Sequence, residues 1–195
     1  MRVLASFLLS LIFTICSSFQ QQDVGETITW SPDAKLTWSD FHKSLTGNSI
    51  EASYSVCGIN ISANPEKVDD HTYLIDVHAF FSKTLSSKTT EKDILTNNVL
   101  KHEQGHFDIT EWYARKIRKE LSEATYTNTD DFFSQVQNIY NKVNSECTAK
   151  QKEYDRATNH SMNVKGQERW NKTIADGLAQ YANYTDTRIK ITLKN

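Results

Sequence analysis

His102-Glu103-Gln104-Gly105-His106 sets two imidazoles four residues apart, with a carboxylate directly after the first. On a helix, that spacing is about 6 Å of rise and nearly one face, so both rings can meet a single ion at about 2.0–2.1 Å. Glu103 is rotated around the axis from His102 and can reach a water on that ion without becoming a ligand. Such a trio suits metal-assisted hydrolysis. Zinc lowers the pKa of its water to about 7, and a carboxylate in the position of Glu103 can take up a proton and hand it on to a leaving amine. Gly105 inside the helix costs up to about 1 kcal/mol relative to alanine, which a close approach by the sheet or a substrate would rationalise.

A catalytic zinc takes three protein ligands and keeps a position open, and the motif supplies two. Ile109 and Trp112 occupy the places where HExxHxxGxxH would need glycine and histidine, and no Glu-x-x-x-Asp follows downstream. The run Tyr154-Asp155-Arg156-Ala157-Thr158-Asn159-His160 crowds several polar groups where a helix is expected to end. His160 is the expected third metal ligand, with Asp155 as the alternative ligand or as a carboxylate orienting a zinc-bound imidazole. Tyr154 is the candidate donor to the oxyanion of a tetrahedral intermediate. His42, His71 and His78 fall in a β-rich part of the chain and are assigned surface or core places.

These residues need a helix and something for it to pack against. From Thr90 onward, Ile94, Leu95, Val99, His102, His106, Ile109, Tyr113, Ile117 and Leu121 recur at helical intervals, which predicts one long helix. A polar break at Thr125 to Thr129 separates it from a second helix running to about Arg156, and the two are expected to pack as a hairpin. Trp170, Ile174, Leu178 and Tyr181 mark a third helix, and Ile189 and Ile191 a short edge strand. Upstream, Ile28 and Trp30, Leu36 and Trp38, Tyr54 to Ile61, and Tyr73 to Ala79 alternate as strands of a small antiparallel sheet. The expected fold is α+β.

The 195-residue chain has 38% hydrophobic and 24% charged residues, a composition for one globular domain rather than a disordered chain or a membrane bundle. A formal charge of −2 gives no basic excess for nucleic acid. Arg2, the apolar run Val3 to Ile15, and Ser17-Ser18 read as a signal peptide over residues 1–18, leaving 19–195 as a single domain. Cys16 is a competing lipidation site, although Phe13, Thr14 and Ile15 before it suit that poorly. Nothing later approaches a membrane span. In an exported chain, Cys57 and Cys147 are expected to form a disulfide.

The chain resembles a family of bacterial secreted, predicted zinc-dependent proteases, catalogued as domain of unknown function nine hundred and twenty-two. The likeness rests on Trp38-Ser39-Asp40-Phe41, on His102 to Ile109, and on Tyr154-Asp155 with Thr158-Asn159-His160, Gln167 and Trp170. Ser161 departs from the glycine expected after the histidine. The resemblance implies a zincin-like fold and a periplasmic, cell-envelope or extracellular setting. The expected activity is zinc-dependent hydrolysis of a peptide or protein substrate with Glu103 as base. The alternatives are an amidase acting on cell-wall crosslinks and a non-catalytic zinc module whose metal is closed by four protein ligands.

Overall fold

The computed structural model describes residues 23–45, 52–62 and 64–194. The expected signal segment and Cys16 lie outside them. The longest strand, β6 (Thr72–Ser82), sits at the centre of a five-stranded antiparallel sheet. Its alternation is the reason: Ile75, Val77, Ala79 and Phe81 are fully buried on one face, while Asp76, His78 and Phe80 are half-buried on the other. β4 (Cys57–Ile61) pairs with one part of β6, Cys57 opposite Phe81 and Ile61 opposite Val77, and β5 (Glu66–Lys67) with its beginning. β1 (Thr27–Thr29) and β8 (Arg188–Thr192) also pair only with β6, so Ile189 and Ile191 do lie on an edge strand. A second, three-stranded sheet joins β2 (Lys43–Ser44), β7 (Ser87–Lys88) and β3 (Ser53–Tyr54).

Three helices complete the α+β fold: α1 (Asn97–Glu123), α2 (Thr129–Thr158) and α3 (Val164–Gln180). Each begins at a side-chain cap, Thr96, Asn128 or Asn163, accepting from a backbone N–H of the first turn. Phe107, Ile109, Ala114, Ile117 and Leu121 of α1 join the buried face of β6 in one hydrophobic core, to which α2 adds Phe132, Val136, Val143 and Tyr154. No helix among the described residues is long and apolar enough to cross a membrane.

Two expectations are corrected. Leu36 and Trp38 form no strand: the Leu36 amide bonds to the Gln104 side chain at 2.9 Å, and Trp38–Asp40 is a 3-10 turn closed by Thr37 and Asp40. Alternating apolar residues there anchor a loop to α1. Cys57 and Cys147 are both free thiols, not a disulfide. Each has a polar neighbour of its own, Thr110 for Cys57 and Gln151 for Cys147. Burial raises the Cys57 thiol well above its ordinary range and pushes Cys147 up to about 12, which favours the thiol over the nucleophilic thiolate.

The far half of α1 is pinned by charge. Arg118 is fully buried and donates to Glu111 at 2.5 Å, to the Val77 carbonyl of β6 at 2.9 Å, and to the Tyr184 carbonyl at 2.7 Å. Arg115 shares Glu111 at 2.9 Å, reaches the Leu178 carbonyl of α3, and stacks over Trp30. Removing Arg118 leaves Glu111 with Arg115 as its one cationic partner and the Val77 and Tyr184 carbonyls short of a donor. Arg118→Met is expected to lower unfolding stability in urea by about 3 kcal/mol, and a loss under about 1 kcal/mol would contradict this account of how α1 is held.

Candidate metal centre

His102 and His106 lie one turn apart on α1, with side chains 5% and 16% exposed. Their Nε2 atoms are 3.2 Å apart. The Oδ1 atom of Asp155, from the last turns of α2, stands 3.2 Å from one and 3.0 Å from the other. Among the described residues, this is the group of three whose donor atoms converge closely enough for one ion. A tetrahedral ion with bonds of about 2.0–2.1 Å sets its ligand atoms about 3.3 Å apart, so the three sides of this triangle fit with a few tenths of an ångström of adjustment. The donor set, two imidazoles and a carboxylate, suits zinc and other divalent transition metals. Asp155 and His106 remain partly exposed and open toward solvent; Asp155 lines a shallow depression with Lys152, Arg156 and His160.

The electrostatics follow from this packing. Burial pushes the Asp155 carboxyl up, but His102 and His106, which hydrogen-bond to it from Nε2 when their rings are protonated and charged, outweigh that and hold the group well below the ordinary carboxylate range. For His106, burial works against the charged ring, yet Asp155 and Glu103 together raise it above its usual value. A cation at this point is thus favoured by its surroundings.

His160, the expected third ligand, is outside the converging trio. Its ring is 56% exposed and its Nδ1 is 4.0 Å from Asp155 Oδ1. It follows the end of α2, in a run of three left-handed residues, Asn159, His160 and Ser161, with φ of 47°, 49° and 73°. Ser161 therefore occupies the backbone region that favours glycine, the residue expected there. Asp155, still on the helix, faces α1, and His160 has turned toward solvent.

Tyr154 is also placed differently from the oxyanion role. It is fully buried, and its hydroxyl donates to the His102 carbonyl at 3.1 Å and accepts from Gln167 at 2.6 Å. Its ring stacks on His102 with centroids 4.6 Å apart. A side chain so enclosed supports the site from behind. Gly105 explains the fit: a Cβ there would come 2.2 Å from the Tyr154 hydroxyl oxygen. A close approach does occur at this glycine, but it is made by α2 and not by the sheet or a substrate.

Glu103 is 4% exposed and points toward β3. Ser53 donates to its Oε1 at 2.6 Å and Ser55 to its Oε2. Two hydroxyl donors on two oxygens match an ionised carboxylate. Neither serine stands out in the sequence; they flank exposed Tyr54 at alternate positions, Ser53 on β3 and Ser55 just after it. Equally unmarked there are Gln151, which is 2.6 Å from His106 Nδ1, and the contact of Gln167 and Thr158 with His102 Nδ1 at 3.3 Å.

Gly105→Ala tests the close approach. Alanine should favour the helix by up to about 1 kcal/mol, but overpacking against Tyr154 costs about 1–3 kcal/mol. The variant is expected to unfold at lower urea concentration than the parent, and a more stable Gly105→Ala protein would refute the packing described.

No curated protein and no solved structure matches the chain. Residues 72–161, from β6 through the metal triangle to the left-handed run, match the model of a family described as "Bacterial protein of unknown function (DUF922)", which supports kinship with that bacterial family.

Proposed function

We propose that this chain is a metal-dependent hydrolase, acting on a peptide or another amide, with the metal held by His102, His106 and Asp155 and with Glu103 as general base. The observation that carries the reading is the triangle of donor atoms at 3.0–3.2 Å, with the ionised-form carboxylate of Glu103 one residue along α1. Zinc is the proposed ion, and when bound it would supply Lewis acidity that lowers the pKa of water to about 7 and polarises a carbonyl.

The protein's own residues set up the rest. Ser53 and Ser55 hold both oxygens of Glu103, so a proton taken from water arrives at a carboxylate already oriented. The same carboxylate can return that proton to the departing amine. The partial exposure of Asp155 and His106 gives a substrate a side from which to approach, and it argues against a metal enclosed by four protein ligands. An exported setting follows from the signal segment read in residues 1–18, and a cell-wall crosslink is the alternative amide.

Metal analysis and turnover test these roles separately. Purified full-length protein is expected to carry one zinc per chain. Asp155→Ala should lose it, His160→Ala should keep it, and Glu103→Gln should keep the metal while peptide or cell-wall hydrolysis falls by at least about a hundredfold. Full metal retention in Asp155→Ala with loss in His160→Ala would return the third ligand to His160, and undiminished hydrolysis by Glu103→Gln would sink the base assignment.

A further inference from the structure

We propose that Gln151 and Gln167 are positioning residues that hold the two imidazoles as Nδ1–H tautomers in the metal-free protein, leaving both Nε2 lone pairs aimed at Asp155 before any ion arrives. Gln151 donates from Nε2 to the His106 carbonyl at 2.9 Å and to Thr110 Oγ1 at 3.2 Å. A backbone carbonyl can only accept, so the amide nitrogen must lie on that side and Oε1 must face His106 Nδ1, at 2.6 Å. Nδ1 therefore carries the proton, and Nε2 of the neutral ring is bare.

His102 reaches the same state by an independent chain. Tyr154 gives its hydroxyl proton to the His102 carbonyl and can only accept from Gln167 Nε2, at 2.6 Å. Gln167 thereby turns Oε1 to His102 Nδ1 at 3.3 Å. Thr158 spends its own proton on the Tyr154 carbonyl at 2.7 Å, so its hydroxyl oxygen offers only lone pairs to the same Nδ1. Two acceptors meet one ring nitrogen, which must donate.

Neutral carboxamides do here what carboxylates often do beside metal-bound histidines. They fix the ring and its tautomer without adding negative charge. The two bare Nε2 atoms and Asp155 Oδ1, mutually 3.0–3.2 Å apart, are then three acceptors with no proton to share among neutral rings. That arrangement is unfavourable alone and is relieved by a cation. The consequence for affinity rests on the metal site proposed above, whereas the tautomers do not.

Long-range ¹H–¹⁵N correlation NMR on chelator-treated full-length protein, at a pH where both rings are neutral, reads the tautomers directly. Both histidines are expected as Nδ1–H, and Nε2–H at either ring of the parent protein would overturn the proposal. Gln151→Met should release the tautomer of His106 but not that of His102, Gln167→Met should act on His102 alone, and Gln151→Glu should preserve Nδ1–H by keeping an acceptor there. Each methionine variant should bind zinc about 10–100-fold more weakly in competition with a chromogenic chelator. Folded variants with unchanged tautomers and unchanged affinity would refute the role. If a variant does not fold, the parent spectrum still decides. Nδ1–H tautomers in a protein that binds no zinc would support the positioning role while removing the metal reading.

Discussion

The register of α2 against α1 is the constraint on which the rest of the centre depends, and Gly105 sets it. Without a side chain at that point, Tyr154 lies flat on α1 and ties its hydroxyl to the His102 carbonyl. Helical spacing does the remainder. Asp155 follows Tyr154 and meets both Nε2 atoms, Gln151 lies one turn before and meets His106, and Thr158 lies one turn after and meets His102. Four contacts thus share one helix placement. A slip of α2 by a single residue would lose all of them together, so the cost of a tight glycine contact is spread over the whole site.

Glu103 belongs to a different neighbourhood. It leaves α1 on the side of β3 and is held by serines from the strand segment, not by α2. The three converging donors and the carboxylate proposed as base are therefore positioned by separate elements that share only the central helix. The placement of Glu103 relative to His102 is set by one residue step along α1, the most rigid link available to the fold.

This division explains what could be read from residues alone. The long helix and its motif were legible because apolar periodicity and the His-Glu-x-x-His spacing coincide on a single element. The central strand was equally clear from Tyr73 to Ala79. Asp155 was visible as a candidate but ranked behind His160, since counting ligand types favours histidine; in the structure it is Asp155, still on the helix face before the left-handed turn at Asn159, whose oxygen converges with the two imidazoles. Gln151 carries no spacing signature of its own and becomes informative only once α2 is seen to present residues 151, 155 and 158 to α1. The cysteine pair misled for a related reason: an even count in an exported chain suggests a bond, but both thiols sit in the layer around Thr110 and Gln151 without joining.

The other end of α1 bears on the same precision. Hydrophobic packing between a helix and a sheet favours burial but is weakly directional, and neighbouring registers can bury similar area. A buried ion pair is a poor source of net stability for the desolvation it requires. It does, however, discriminate strongly between positions. Arg118 must meet Glu111 on its own helix, the Val77 carbonyl of the central strand and the Tyr184 carbonyl beyond α3 simultaneously. Any rotation or slide of α1 would strand a buried charge. The imidazole of His106, twelve residues earlier on the same rigid element and so about 18 Å away, inherits that fixed position relative to the sheet. Three donor atoms must agree to about half an ångström to share an ion, and a polar anchor on the same helix restricts its placement more sharply than apolar contacts alone.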